Sequence, residues 1–200
     1  GSKDNSLELM RRSAIGKPNI KVSSYKKNKG KGYAIVTGVQ KAQGQYILFT
    51  DLDHSVPIST IESFFRYFDK GIPVVIGSRR VKGSKLLVRQ HPIREFLGKG
   101  FTTLVNILIG SGIYDATCGF KAFEKEVAQK IFSKITVYNW AFDAEILFIC
   151  RKNNINFVQA PVVWSNVKES KVLLSKDILG SLKGIFKIRI NDLRNQYLFE

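Results

Sequence analysis

Short apolar runs alternate along this chain with longer amphipathic stretches. Ile20 to Tyr25, Tyr46 to Thr50, Val74 to Gly77 and Phe157 to Val163 are compact runs rich in apolar, β-branched and aromatic residues, which predicts strands. Gly32 to Ala42, Ser59 to Phe68, Ile93 to Ile109, Glu124 to Phe132, Phe142 to Asn153 and Asp177 to Arg194 repeat apolar positions at helical spacing, several with Ser or Asp near the start. Strands and helices in alternation predict an α/β sheet covered by helices. No repeat, low-complexity tract or Pro-rich linker interrupts the pattern, so residues 1–200 read as one unit. The longest apolar run, Phe101 to Ile109, has two Thr and an Asn inside it. It falls short of the roughly 18 to 20 residues that span a bilayer. The N-terminus carries no signal-peptide pattern.

Charge narrows the choice of partner. The chain carries 32 Lys and Arg against 16 Asp and Glu, a formal net charge of +16, so something anionic is expected to bind it. Nucleic acid, an anionic membrane surface and phosphorylated small substrates all fit that balance. Cys118 and Cys150 stand in no CxxC spacing and beside no His cluster, which argues against a structural zinc or a disulfide scaffold and for a reducing, cytosolic setting. The stretch Arg79 to Arg94 is loop-like and dense in Lys, Arg and Gly, and leads into a helix with Ile93, Leu97, Phe101, Leu104 and Leu108 on its apolar face. The closing segment mixes Lys183, Lys187, Arg189 and Arg194 with Leu182, Ile185, Phe186 and Ile190. Both suit a membrane interface, and core packing explains their apolar residues equally well.

The sharpest chemical signal is Tyr46-Ile-Leu-Phe-Thr-Asp51-Leu-Asp53, a buried-type strand ending in two carboxylates one residue apart. In open α/β sheets ligands bind at the carboxyl ends of strands. Two hard oxygen donors there can hold Mg²⁺ or Mn²⁺, which in turn holds a diphosphate; a solvated turn is the plainer alternative. Upstream, Asn28-Lys-Gly30-Lys31-Gly32 is a Gly-rich basic turn opening a helix, able to offer N–H groups and a Lys to an anion. Downstream, Gly77-Ser78-Arg79-Arg80 closes another strand with two guanidinium groups that can clamp phosphate oxygens or simply form a solvated basic loop. Asp115-Ala-Thr-Cys-Gly119-Phe120-Lys121 and Trp140-Ala-Phe-Asp143-Ala-Glu145 bring further carboxylates beside aromatic residues.

Taken in order, these pieces and the later Pro-Val-x-Trp with its following Ser-Lys-Val resemble the dolichyl-phosphate glucose and mannose synthases. The resemblance runs from about Gly1 to Arg194, and the Cys-Gly-Phe-Lys and Phe-Asp-x-Glu variants lean to the glucosyl branch. It implies a GT-A fold, a three-layer α/β/α sandwich around a mixed, mostly parallel sheet, and an inverting, metal-dependent transfer of a hexose from UDP-glucose to a dolichyl or other polyprenyl phosphate. Asp51 and Asp53 would position the diphosphate through Mg²⁺ or Mn²⁺. Lys31 would approach the nucleotide, Arg79 and Arg94 the phosphate of the lipid acceptor, and Asp115 with Gly119, Phe120 and Lys121 would line the sugar and acceptor pocket. Asp143 or Glu145 would orient sugar hydroxyls or a site loop. The acceptor phosphate is already ionised at neutral pH, so no general base is required.

Two departures from the family pattern stand out. The mannose synthases often carry a Gln two residues after the second Asp, where this chain has Ser55, with His54 between as a substitute ligand or a solvated side chain. The family also opens with two strands ending in Pro-x-x-Asn-Glu and Asp-Asp-Gly-Ser-x-Asp, of which only the region around Asp4 remains here, which reads as an N-terminal truncation inside the nucleotide pocket. The implied location is the cytoplasmic face of a membrane, held peripherally. Other readings stay open: another donor such as GDP-mannose, a membrane-peripheral scaffold without catalysis, and a nucleic-acid module, which the paired carboxylates of Asp51 and Asp53 oppose by repelling phosphate.

Overall fold

The protein is described by a computed structural model covering residues 1–110, 112–167 and 174–199. After α1 (Ser6–Ala14) the elements run α2 (Lys31–Lys41), β1 (Tyr46–Thr50), a 3-10 turn (Ile58–Ile61), α3 (Glu62–Phe68), β2 (Val74–Ser78) and β3 (Lys85–Val88). Then follow α4 (Pro92–Ile109), β4 (Phe120–Glu124), α5 (Lys125–Ser133), α6 (Phe142–Lys152), β5 (Phe157–Pro161), β6 (Val163–Ser165) and α7 (Leu174–Leu193).

The main sheet has the order β1-β4-β2-β5, and β3 pairs with β6 in a separate ribbon. β1, β2 and β5 run one way, while β4 lies antiparallel between β1 and β2, so the sheet is mixed with one reversed strand. Side chains alternate across it as a pleat requires. On one face Ile47, Phe49, Val74, Ile76 and Phe123 meet buried residues of α2, α5, α6 and α7. On the other, Val75, Phe120 and Ala122 meet Phe64 and Phe68 of α3. That is the expected three-layer sandwich, and burying side chains of this size contributes about 1.5–3 kcal/mol each.

Most predicted helices and strands appear within a few residues of their expected bounds. The run Ile20 to Tyr25 does not form a strand; it finds no partner ladder among the described residues, and Tyr25 instead packs edge-on against Tyr33 of α2 with ring centroids 5.0 Å apart. Phe120–Glu124 is a central strand that the pattern misses, because Lys121 breaks the apolar run and Glu124 looks like a helix start. β3 lies inside the stretch read as a loop, with all four residues exposed. Helix α1 buries no residue and is held locally by the Glu8–Arg12 pair. The Ser170 to Val172 part of the last motif lies outside the described residues.

Candidate active site

Because β4 is reversed, its start lies beside the ends of β1 and β2, and the turn before it closes over both. The carboxylates of β1, the Ser78–Arg79 end of β2 and the turn 115–119 thereby meet at one edge of the sheet, where α/β folds bind ligands. The Asp51 N–H donates to the Gly119 carbonyl at 3.1 Å. The two residues are so close that a Cβ on Gly119 would lie 1.9 Å from Asp51 Oδ2, so glycine is required for this approach. Lys31, the first residue of α2, places Nζ 2.7 Å from Asp51 Oδ1. Burial opposes its charge, but Asp143 and Asp51 outweigh that and raise the Lys31 pKa above its ordinary value. Gly30, just before it, has φ of 99° and fits where a Cβ would meet the Tyr138 carbonyl oxygen at 2.4 Å.

Asp53 is exposed, and its Oδ1 accepts the Ser55 N–H at 3.0 Å. Between them His54 turns the chain through a left-handed φ of 55°, a conformation in which His is enriched among non-glycine residues. No group of three or more His, Cys, Asp or Glu suited to a metal occurs among the described residues. Asp51 and Asp53 supply two carboxylates, which fits a hard divalent ion that completes its shell with phosphate oxygens and water. One of the two, Asp51, already pairs through Oδ1 with the Lys31 ammonium, so a metal ion would share that carboxylate with Lys31.

Asp115 and Arg79 form a bidentate pair, with Nε donating to Oδ2 at 2.6 Å and Nη2 to Oδ1 at 2.8 Å; the Arg79 N–H also reaches Oδ2 at 3.0 Å. Nη2 also donates to Thr117 Oγ1 at 2.9 Å. Arg79 is thus committed mainly to holding the turn, and Nη1 takes no part in these bonds. Burial alone would raise the Asp115 carboxyl, but Arg79 outweighs it and holds the group down to about 2. A carboxyl lowered this way stabilises the fold above its unfolded value, near 3.9, and the contribution disappears as pH falls through about 2. The stability gap between the protein and Asp115→Asn is therefore expected to shrink by about 2 kcal/mol from pH 5 to pH 2 in urea melts.

Four expected pocket residues lie beneath the site. Lys121 is fully buried, forms an ion pair with Asp143 and donates to the Cys118 carbonyl at 2.6 Å. Phe120 packs edge-on against Phe64 in the core, with ring centroids 5.4 Å apart. Glu145 accepts from the Thr136 and Val137 N–H groups, from Thr136 Oγ1 at 2.7 Å and from the Tyr197 hydroxyl at 2.6 Å. Burial raises the Glu145 carboxyl, and these donors only partly offset it. The expected lining of the pocket by Asp115, Phe120 and Lys121 is corrected by their burial, since none has surface to offer a ligand. Of the two roles expected for Asp143 and Glu145, burial opposes contact with sugar hydroxyls, while Glu145 does hold the loop at Thr136 and Val137. Asp4 accepts from Ser6 at the start of α1 and does not line the cleft.

In front of Asp53 opens a cleft of about 490 Å³. Leu97, Phe101 and Leu104 of α4, Leu182 of α7 and the side chains of Trp140 and Trp164 make it largely apolar, with Asp53 and Arg94 among its polar residues. Sequence reasoning quoted both tryptophans and Thr117 inside motifs but gave them no role. A tryptophan at a site looks, in a sequence, like any core aromatic.

Residues 1–132 match the family described as glycosyl transferase family 2. The chain is 33% identical over 180 residues to a dolichyl-phosphate beta-glucosyltransferase of Trichomonas vaginalis, covering 88% of this chain and 53% of that protein. It is 32% identical to one of Dictyostelium discoideum, with 96% and 61% covered, and 30% identical to one of Homo sapiens, with 100% and 64% covered. The chain thus spans between half and two thirds of the length of these relatives. Among solved structures, glucosyl-3-phosphoglycerate synthase from Mycobacterium tuberculosis with Mn²⁺ and UDP-glucose superposes with a TM-score of 0.59 at 16% identity, over 94% of this chain and 65% of that one. At that identity the likeness is one of fold.

Proposed function

This chain belongs to glycosyl transferase family 2 and has the GT-A fold; from that premise we propose that it moves glucose from UDP-glucose to the phosphate of a dolichyl-type polyprenol at the cytoplasmic face of a membrane. The observation that carries this reading is the apolar cleft that has Asp53 and Arg94 among its lining residues. Few substrates other than a phosphorylated lipid need carboxylates for a metal, a guanidinium and a greasy channel in one place.

Asp51 and Asp53 would hold Mg²⁺ or Mn²⁺, and when bound that ion neutralises charge on the departing diphosphate. Lys31 adds a cation on the nucleotide side, next to Asp51. Arg94, with the free edge of Arg79, receives the acceptor phosphate. An acceptor oxygen attacks the anomeric carbon from the face opposite the diphosphate; the new C–O bond forms as the bond to UDP breaks, inverting that carbon. The acceptor is an anion throughout, so the chain's contribution is alignment and fixed charge, and no residue needs to accept a proton.

A cleft of about 490 Å³ suits a ligand of drug size, so it takes the phosphate end of the acceptor while the rest of the polyprenyl chain leaves toward a bilayer. The exposed Ile93, Phe96 and Ile107 of α4 and Phe186, Ile190 and Leu193 of α7 support that exit, with Lys183, Lys187 and Arg189 as partners for anionic lipid. No helix among the described residues is long and apolar enough to cross a membrane, so attachment through these elements is peripheral.

The test is transfer of radiolabelled glucose from UDP-glucose to a short polyprenyl phosphate by the full-length protein with Mn²⁺. Asp53→Asn is expected to weaken Mn²⁺ binding and transfer by about 10- to 100-fold. Undiminished transfer by that variant would remove the metal assignment, and transfer from GDP-mannose in place of UDP-glucose would change the donor.

A further inference from the structure

The segment 136–141, between α5 and α6, is fixed at almost every residue. Glu145 accepts the N–H groups of Thr136 and Val137. The Tyr138 carbonyl accepts the Gly32 N–H at 2.9 Å, and its ring meets that of Tyr33 edge-on at 5.1 Å. Asn139 donates through Nδ2 to the Gly180 carbonyl of α7 at 2.7 Å and accepts the Ala141 N–H at 2.9 Å. On the α7 side, Gly184 packs so closely that a Cβ there would stand 2.6 Å from the Ala141 Cβ.

From this rigid segment the Trp140 side chain lines the cleft, and the residue stays 38% exposed. The ring does not stand alone: with Leu97, Phe101, Leu104 and Leu182 it lines one apolar cleft, and a contiguous apolar surface of that kind marks a ligand site. Its place in the cleft identifies which part of a ligand. The Lys31 ammonium lies 5.1 Å from the indole centroid, and the same ammonium is 2.7 Å from Asp51. The ring is therefore one side chain away from the carboxylate that faces the diphosphate, and the group bonded directly to that diphosphate is the sugar.

We propose that Trp140 is the stacking surface for the donor's hexose and the residue that distinguishes a nucleotide bearing a gluco-configured sugar from the bare nucleotide or from an epimer. This rests on reading the cleft as the donor and acceptor site. A glucose ring carries its hydroxyls equatorially and turns axial C–H bonds to both faces, which suits the electron-rich face of an indole. An axial hydroxyl, as at C4 of galactose, breaks one of those apolar faces and has to be desolvated against the ring. Trp164, across the cleft, lies 5.4 Å from the Arg79 guanidinium and serves the acceptor side.

The experiment is calorimetric binding of UDP, UDP-glucose and UDP-galactose to the full-length protein with Mn²⁺, comparing the wild type, Trp140→Ala, Trp140→Phe and Trp164→Phe. Trp140→Ala is expected to weaken UDP-glucose about tenfold while leaving UDP within about twofold, with Trp140→Phe in between. Saturation transfer to the C–H protons of bound glucose should be strong in the wild type and fall in Trp140→Ala. Equal weakening of UDP and UDP-glucose would mean that the indole only shields the Lys31–Asp51 pair, and would overturn the proposal. So would unchanged donor binding with a raised KM for polyprenyl phosphate, which would assign the ring to the lipid. A wild-type protein that binds neither UDP nor UDP-glucose would instead remove the proposed function, and this inference with it.

Discussion

Lys121→Met is expected to cost about 3–5 kcal/mol of folding stability, a large part of the roughly 5–15 kcal/mol typical of a domain. The ammonium is fully buried and its ion-pair partner Asp143 is 1% exposed, so its removal leaves a carboxylate shut off from water with only Lys31 as counter-charge. Burial already raises the Asp143 carboxyl, with Lys121 and Lys31 pulling it back. Without Lys121 the folded-state pKa rises further. A carboxyl raised in the folded state penalises folding at neutral pH, and the penalty fades as pH falls toward the unfolded value near 3.9. Urea melts should therefore show the variant furthest below wild type at pH 7 and closer to it at pH 4. A gap that stays constant with pH would show that lost packing dominates. Replacing both members of the pair by apolar residues should recover part of the stability. It should not restore activity, because Lys121 also holds the Cys118 carbonyl and so the turn that carries Asp115, Thr117 and Gly119.

Gly119→Ala is expected to act in the opposite way, sparing the fold and destroying the site. The new Cβ would stand 1.9 Å from Asp51 Oδ2 and 2.5 Å from its Cγ. A short side chain on a strand end can rotate away, so the thermal midpoint should move by only a few degrees. Rotation takes Asp51 off Lys31 and away from the place proposed for it beside the metal. A displacement of this size in a reacting arrangement costs on the order of 100-fold or more in rate. Mn²⁺ titration followed by electron paramagnetic resonance, together with transfer assays, would check it. A variant that binds Mn²⁺ and transfers glucose normally would show that Asp51 is not needed where the structure puts it.

What could be read from the sequence was what depends on local order. Asp51 and Asp53 stand out because a buried-type strand ends in charge, and Lys31 because glycines open a helix around it. Helices such as α2, α3 and α5 were legible because each buries one stripe. β4 was not, since its Lys121 is hidden by a partner 22 residues later on another element, and no periodicity shows that. Glu145 looked like a site carboxylate for the same reason: its partner Tyr197 lies 52 residues away. The basic Arg79 suggested a phosphate clamp, and only the geometry shows how much of its guanidinium Asp115 already uses.

The reversed strand also sets a timetable. Among the described residues β1 pairs with β4 alone, in a register that joins Tyr46 to Glu124, and β2 lies beside β4 and β5. No two strands of the main sheet that follow one another in sequence among β1, β2 and β4 can close without the last of them. A nascent chain that has reached Ser78 therefore holds β1 and β2 without β4, the strand that lies between them. At roughly 5–20 residues per second, several seconds pass before Glu124 is made. During that interval Ile47, Phe49, Val74 and Ile76 lack the cover that α5, α6 and α7 later supply, and chains stopped there would be prone to aggregate.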